Sequence, residues 1–453
     1  MIQAGGSSGG QTVAAPLRAR VSWALFDWAN QPYFTVITTF IFAPYFSSVV
    51  VGDPVRGQEI WGYTQAATAL LVALGAAVLG AIADAGGRLK PWLLAFQFML
   101  ATGCALLWFA LPGEGRALPV VVAGLILAGI AAEYSILFNN ALLPGLVPPA
   151  RMGRLSGFGW GMGYLGGLVA LFAVLIISRP ELIGITPPAG EALLGLDRAS
   201  HQAERAIGPA AALWLAIFVT PMFLFTPDRQ GGGRPLGAAV SAGLAQLGQT
   251  LRSLRRQGNT LRFMIAYMLY FDGLNAVIGF GGIYAAGIFG WGTTELGLFG
   301  IGLNVVAIPS VIAAGWIDDR LGSKRTIQLA VIAVGLGTLG ILSLTSGSIL
   351  FGIPVSAAQA QVMFVACAAF LGLGMGPMQA ASRTMVARLA PAGMVTEFYG
   401  LFALSGRATS FLAPLLIGIA TSLFASQRVT AVIVLAFLGA GFWLLWRVRE
   451  TPE

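Results

Sequence analysis

Five ionisable side chains fall inside otherwise apolar stretches of this 453-residue sequence: Asp27, Glu133, Asp272, Arg383 and Arg407. A charge at the centre of a helix in hydrocarbon costs at least about 2.5–3.5 kcal/mol unless it faces protein or water. Such residues therefore mark either a working site or ion pairs that lock helices together. Amides accompany them at helical spacing. Asp27 and Asn30 are i and i+3, Asp272 and Asn275 repeat the arrangement, and each pair is expected to offer one charge and one amide to the same volume. Gln379 and Arg383 are i and i+4, and Asn140 lies two turns beyond Glu133. Acids beside amides and a guanidinium suit a zwitterion, whose ammonium meets a carboxylate and whose carboxylate meets arginine. A sugar site would want more aromatic platforms, and a hydrophobic-drug site fewer charges.

Other chemistries find little to work with. His201 is the single histidine and sits in a polar stretch, which removes histidine-based zinc sites and most acid-base enzymes. Cys104 and Cys367 both lie in apolar segments and form no disulfide framework. Gly161-x-Gly163-x-x-Gly166 fits a dinucleotide fingerprint, but no strand precedes it; with Gly159 and Gly167 it reads as close helix packing. Gly6-x-Ser8-x-Gly10 matches a nucleophile elbow without a partner histidine. No phosphate-binding Gly-x-x-x-x-Gly-Lys-Ser/Thr is present, so no nucleotide drives the protein, and neither cofactor nor metal is expected.

The elements that must position these residues are set by composition. Apolar residues make up 57% of the chain and charged residues only 10%, against about 25% in a soluble domain. The apolar stretches are continuous, not alternating, and recur at lengths of about 20 residues, so the expected class is an all-α membrane protein. Twelve spans are expected, at roughly 22–50, 61–83, 90–111, 117–145, 153–178, 209–226, 261–289, 294–317, 324–346, 361–389, 396–424 and 428–447. Prolines 32, 44, 309, 377 and 414 interrupt them, as hinges or as kinks. The division is a tail at 1–20, six spans in 21–226, a linker at 227–260 with an amphipathic helix over 236–257, six spans in 261–447, and a tail at 448–453. The first residues read as a flexible tail ahead of an uncleaved anchor. Eighteen lysines and arginines fall in gaps on the side of the termini against six on the other, which places both termini and the linker in the cytoplasm. The net charge of +8 is spread over short gaps and forms no nucleic-acid patch.

The two halves repeat. Gly80-x-x-x-Asp84-x-x-Gly87-Arg88-x-Lys90 follows span 2, and Gly315-x-x-x-Asp319-x-x-Gly322-x-Lys324-Arg325 follows span 8. Phe26-Asp27-x-x-Asn30 recurs as Phe271-Asp272-x-x-Asn275, and Pro149-Ala150 as Pro391-Ala392. Two six-helix, pseudo-symmetric bundles in parallel repeat are the signature of an alternating-access carrier. At these motifs the chain resembles the major facilitator superfamily. More narrowly it resembles the bacterial branch of the autophagy-related vacuolar amino-acid effluxer family, through Phe26-Asp27-Trp28-Ala29-Asn30, Asn140-Ala141-Leu142-Leu143-Pro144, Arg154-Leu155-Ser156-Gly157, Tyr164-Leu165-Gly166-Gly167 and the block from Glu397 to Phe411. Asn139 and Gly145 depart from the family pattern, which usually has an aromatic and often an acid there. The resemblance implies that spans 1, 4, 7 and 10, which carry Asp27, Glu133, Asp272 and Arg383, line a central cavity. It implies transport of a small polar solute, an amino acid among the candidates, across a bacterial inner membrane.

Three expectations follow. Asp84 and Asp319, with Arg88, Lys90, Lys324 and Arg325, form cytoplasmic gates in which each acid docks on a helix end of the opposite half, span 11 for Asp84 and span 5 for Asp319. Counting residues from the cytoplasmic ends pairs Asp27 with Arg383 and Asp272 with Arg407, and leaves Glu133 at mid-depth or beyond with no base at its level. Glu133 is then the proton site, with Asp27, Asp272 and Arg383 shaping the solute site; the competing assignment exchanges these roles. The protein is expected to work as a monomer in the lipid bilayer with a small solute and protons as partners. The readings that compete are a drug or metabolite effluxer and a sensor that binds without flux.

Overall fold

The computed structural model describes residues 14–84, 88–113, 117–147, 149–228, 238, 258–389, 402, 405–406 and 408–450. Among these residues the chain forms twelve helical segments: α1 (Leu17–Val50), α2 (Pro54–Asp84), α3 (Lys90–Leu106), α4 (Leu118–Leu142), α5 (Pro149–Ser178), α6 (Gln202–Phe225), α7 (Gly258–Phe289), α8 (Thr293–Leu321), α9 (Ser323–Leu342), α10 (Ala357–Leu389), α11 (Leu412–Phe424) and α12 (Val429–Trp446). Apart from Ala238, the expected amphipathic helix over 236–257 lies outside the described residues, as do Pro391-Ala392 and most of the block from Glu397 to Phe411. A two-residue hairpin, β1 (Ser348–Ile349) with β2 (Ile353–Pro354), joins α9 to α10 in antiparallel register.

Several helices start a turn or two before the apolar stretch does. α2 begins at Pro54 and α6 at Gln202, because Gln58, Glu59, Glu204 and Arg205 continue each helix into a polar end instead of terminating it. Helix α1 is not a uniform rod. After Pro32 it widens to i→i+5 bonding over Tyr33–Phe40, tightens over Phe42–Tyr45 around Pro44, and widens again over Phe46–Val50. The prolines thus change the helical pitch, since each withholds an N–H from the ladder.

The repeat seen in the sequence reappears in the packing. α1 packs on α6 as α7 does on α12, α2 on α4 as α8 on α10, and α3 on α4 and α6 as α9 on α10 and α12. The halves meet along α2 with α11, its counterpart α5 with α8, and the widened part of α1 with α7. This gives two pseudo-symmetric six-helix bundles, all-α apart from the hairpin.

Candidate functional site between the two halves

The pentapeptide Phe26-Asp27-Trp28-Ala29-Asn30 sends its side chains to different neighbours. The Trp28 indole stacks on Trp214 of α6 with ring centroids 5.5 Å apart, and Trp214 Nε1 donates to the Trp28 carbonyl at 3.1 Å. Asn30, only 3% exposed, donates to the Phe26 carbonyl at 2.8 Å and accepts from Gln97 Nε2 of α3 at 3.3 Å. Asp27 is half-buried and lies against α5, where a Cβ built on Gly159 would stand 2.5 Å from its Oδ2. Glycines at 159, 163, 166 and 167 receive Asp27, Gln31, Trp28 and Thr35 of α1 in turn, so this stripe is helix packing, as its spacing suggests. The structure therefore corrects one expectation: Asp27 and Asn30 do not share a volume, and the Asn30 amide is already spent on α3.

The repeated motif on α7 behaves similarly but is buried more deeply. Asp272 is 1% exposed, and its carboxylate faces the Thr409 hydroxyl at the foot of α11, with no other hydrogen-bond partner among the described residues. Asn275 is half-buried. On α10, Gln379 Nε2 donates to the Met375 carbonyl at 3.3 Å, while Arg383 is exposed and lies within electrostatic reach of Tyr164 on α5. No ion pair joins Asp27 to Arg383, contrary to the depth count. Arg407 lies outside the described residues.

Helix α4 ends at Leu142, well before Arg151, so Glu133 is nine residues from that end, about 14 Å, in the middle of the helix and within the expected range of depth; the second correction concerns its neighbours. Glu133 is half-buried, has the Tyr33 phenol within electrostatic reach, and is engaged with its neighbours, so it is not the partnerless acid the count implies. Asn140 is exposed; the buried residue of that turn is Asn139, whose backbone carbonyl accepts from Trp23 Nε1 at 2.9 Å.

At the face that carries the termini, the side chains of Asp84 and Asp319 lie outside the described residues, but their basic companions are placed. Lys90 Nζ donates to the Phe223 carbonyl at 2.8 Å, and Lys324 Nζ to the Trp446 carbonyl at 2.8 Å. Each lysine thus caps the last helix of its own half, where the helix dipole favours a cation. The sequence reading missed the reciprocal acids. Asp228, just beyond α6, accepts from the Leu89 and Lys90 backbone N–H groups at 2.9 and 3.3 Å and meets Arg88 at 3.4 Å. Glu450, just beyond α12, accepts from the Ser323 N–H at 2.6 Å and from Arg388 at 2.5 Å, and Arg388 also reaches Asp318 at 3.5 Å. A faint signal exists: Thr226-Pro227-Asp228 and Glu450-Thr451-Pro452-Glu453 each set a Thr-Pro beside an acid after the last helix of a half. Arg325 is exposed.

The opposite face is closed between the halves. Gln58 Nε2 of α2 donates to Thr421 Oγ1 of α11 at 2.8 Å and to the Gln427 carbonyl at 3.4 Å, and Gln427 Nε2 donates to the Pro54 carbonyl at 2.8 Å. Thr293 Oγ1 of α8 donates to Glu204 of α6 at 2.8 Å. Backbones touch where a Cβ on Gly62 would stand 2.9 Å from the Gly418 Cα. Beside this seal, the loop 179–201 is held by an Arg198–Glu181 ion pair and by Asp197, which accepts from the N–H groups of Ala199 and Ser200. The hydrogen bond from Arg198 holds the Glu181 carboxyl below its usual range, and the Ser200 hydroxyl does the same for Asp197.

Two six-helix halves, polar groups embedded between them and a seal at one face define a multi-pass membrane transporter of the major facilitator type. The chain belongs to the vacuole effluxer Atg22-like family, whose model matches residues 48–451. Over 429 residues it is 25% identical to the MFS-type transporter YxiO of Bacillus subtilis (strain 168), covering 92% of both chains. It is 24% identical over 302 residues to autophagy-related protein 22 of Cryptococcus neoformans var. neoformans serotype D, covering 65% of this chain and 50% of that one, so it spans about half the length of this fungal relative. A solved D-xylose-proton symporter shares the fold with a TM-score of 0.62 at 15% identity, covering 96% of this chain and 97% of the other.

Proposed function

We propose that the protein is a secondary carrier of a small zwitterionic solute of the amino-acid class, driven by a proton gradient. The observation that carries this reading is the approach of Arg383 from the second half to Tyr164 of the first, one residue from the Gly163 that packs on Asp27. A solute held between the halves would set its carboxylate on the guanidinium and its ammonium on the Asp27 carboxylate, so its binding would draw on both halves at once. Asn140, Asn275 and Gln379 would contribute hydrogen bonds, and the clusters around Asp84 and Asp319 would act as gates. The autophagy-related names among the relatives and the proton symporter among the structural neighbours support this reading.

In the proposed setting, a bacterial inner membrane, both termini and the 227–260 linker are cytoplasmic and separate two six-helix domains. The sealed face is then periplasmic and the arrangement inward-facing. A cysteine near Arg255 should resist an impermeant thiol reagent in whole cells, whereas one near His201 should react; the reverse pattern would overturn the orientation. The solute is tested by thermal unfolding of the purified protein against panels of amino acids, peptides and sugars. An amino acid at about 100 times its Kd should stabilise by about 2.7 kcal/mol, and Arg383→Gln should lose that shift. Stabilisation by sugars alone would replace the proposed solute.

A further inference from the structure

We infer that Asp272 and Thr409 form the site at which the protein takes up and releases its proton, a role the depth count alone would give to Glu133. This rests on the proton-driven carrier reading and assigns its ion site. Both Asp272 oxygens and Thr409 Oγ1 are buried and face each other between α7 and the foot of α11, and neither has another hydrogen-bond partner among the described residues. A fully buried carboxylate faced by a single hydroxyl is strongly disfavoured, so this closed arrangement suits the neutral acid.

Among the described residues, the surroundings supply no fixed counter-charge. α12, which packs along α7, has no charged residue from Val429 to Trp446, nor has α11 from Leu412 to Phe424, nor the widened part of α1. On α7 the titratable neighbours are Tyr267 and Tyr270, and the Tyr270 hydroxyl is bonded to Ser382 of α10 at 2.7 Å. On α10, Arg383 reaches toward Tyr164 and Arg388 is held by Asp318 of α8 and by Glu450. On α8, Glu295 is turned to the Gly292 N–H, and the side chain of Asp319 lies outside the described residues. Arg56 and Glu59 of α2 pair with each other at 2.6 Å, while the Asp84 side chain is likewise outside the described set, as is Arg407, two residues from Thr409. Three oxygens fall short of the six or more a hard metal ion takes, and no cluster of three or more His, Cys, Asp or Glu occurs among the described residues. A proton is the ion that fits.

The position also explains how protonation would reach the seal. Ten residues along α7 from Asp272, about 15 Å, the Gly282 backbone lies against the Thr39 carbonyl of α1. Twelve residues along from Thr409 is Thr421, which accepts from Gln58. The two helices that meet at the acid are therefore among those that hold the halves together at the sealed face. Losing the proton leaves a carboxylate that this packing cannot solvate, which favours the state in which α7 and α11 part and admit water.

The test uses the full-length protein in liposomes, with protons as the only probe. Infrared titration should show a protonated-carboxyl carbonyl band in the wild type at pH 7 that disappears in Asp272→Asn and persists in Glu133→Gln and Asp27→Asn. Asp272→Glu should move the band without removing it, which keeps the assignment testable if the asparagine variant fails to fold. Thr409→Val should displace its titration midpoint. Sodium chloride in place of choline chloride should leave the band unchanged. A band that survives Asp272→Asn, that vanishes only in Glu133→Gln, that is absent from the wild type, or that is lost on adding sodium would overturn the inference. Counterflow in the same vesicles reads the carrier function separately: its absence with the band intact would count against transport and not against this proton site.

Discussion

Replacing Gln58 with alanine should loosen the sealed face without unfolding the protein. Gln58 is fully buried, and its Nε2 makes one short bond, 2.8 Å to Thr421 Oγ1, and one at 3.4 Å to the Gln427 carbonyl, both across the halves. A neutral hydrogen bond of the first kind stabilises by about 0.5–1.5 kcal/mol, and leaving a buried partner unsatisfied adds to the loss. In the open state the same groups meet water, so the substitution costs little there. A net penalty of about 1.4–2 kcal/mol falls on the closed state alone, which lowers the closed-to-open ratio roughly 10- to 30-fold. A protein closed about 99 parts to 1 would move to between about 10:1 and 3:1, while the Gln427–Pro54 bond limits the change. Spin labels at Val55 and Ser422, with Cys104 and Cys367 replaced by alanine, would report this as a second, longer population in electron-spin distance measurements. An unchanged distance distribution in a variant with normal melting would refute the reasoning and leave the seal to backbone packing at Gly62 and Gly418.

Three further outcomes follow from the same geometry. Gly166→Leu should lower stability by about 1–3 kcal/mol, because a Cβ there already stands 2.9 Å from the Trp28 carbonyl; thermal unfolding in detergent checks this, and an unaltered melt would mean that α1 and α5 are not in contact. Asp228→Asn and Glu450→Gln should each cost about 1–2 kcal/mol, since each weakens charge-assisted bonds to a helix N-terminus, and the losses should add because the two caps are in different halves. The loop 179–201 should respond to acid. Glu181 and Asp197 are held below their ordinary values, so their contribution is fully present above the ordinary carboxylate range and disappears as the pH falls through their depressed values. Proteolytic nicking near Leu194 should thus be flat from about pH 5 to 8 and rise below about pH 4, whereas nicking that rises on going alkaline would reverse the sign.

The helices and their pairing were legible because hydrocarbon imposes one rule on every span, and because Asp27 and Asp272 sit in repeated motifs at equivalent places. The glycine stripe on α5 was legible for the same reason, since only spacing matters to close approach. What neighbours each side chain meets was not. Asp27 and Asn30 differ by only about 60° around α1, but α1 is packed on several helices and that angle separates α5 from α3. Glu133 sits at the mid-helix depth the count allows, but counting bases along the chain could not show that the Tyr33 phenol of α1 lies within its electrostatic reach. The seal has no local signature at all: Gln58 and Thr421 are ordinary polar residues 363 positions apart, and only the fold makes them partners.

Counterflow tests the carrier account most directly. Liposomes containing the purified protein and loaded with an unlabelled amino acid should draw in the labelled form above its equilibrium level and then release it, and Arg383→Gln should abolish that overshoot. Tracer that merely equilibrates at the rate of protein-free liposomes, for every amino acid class tried, would contradict the account.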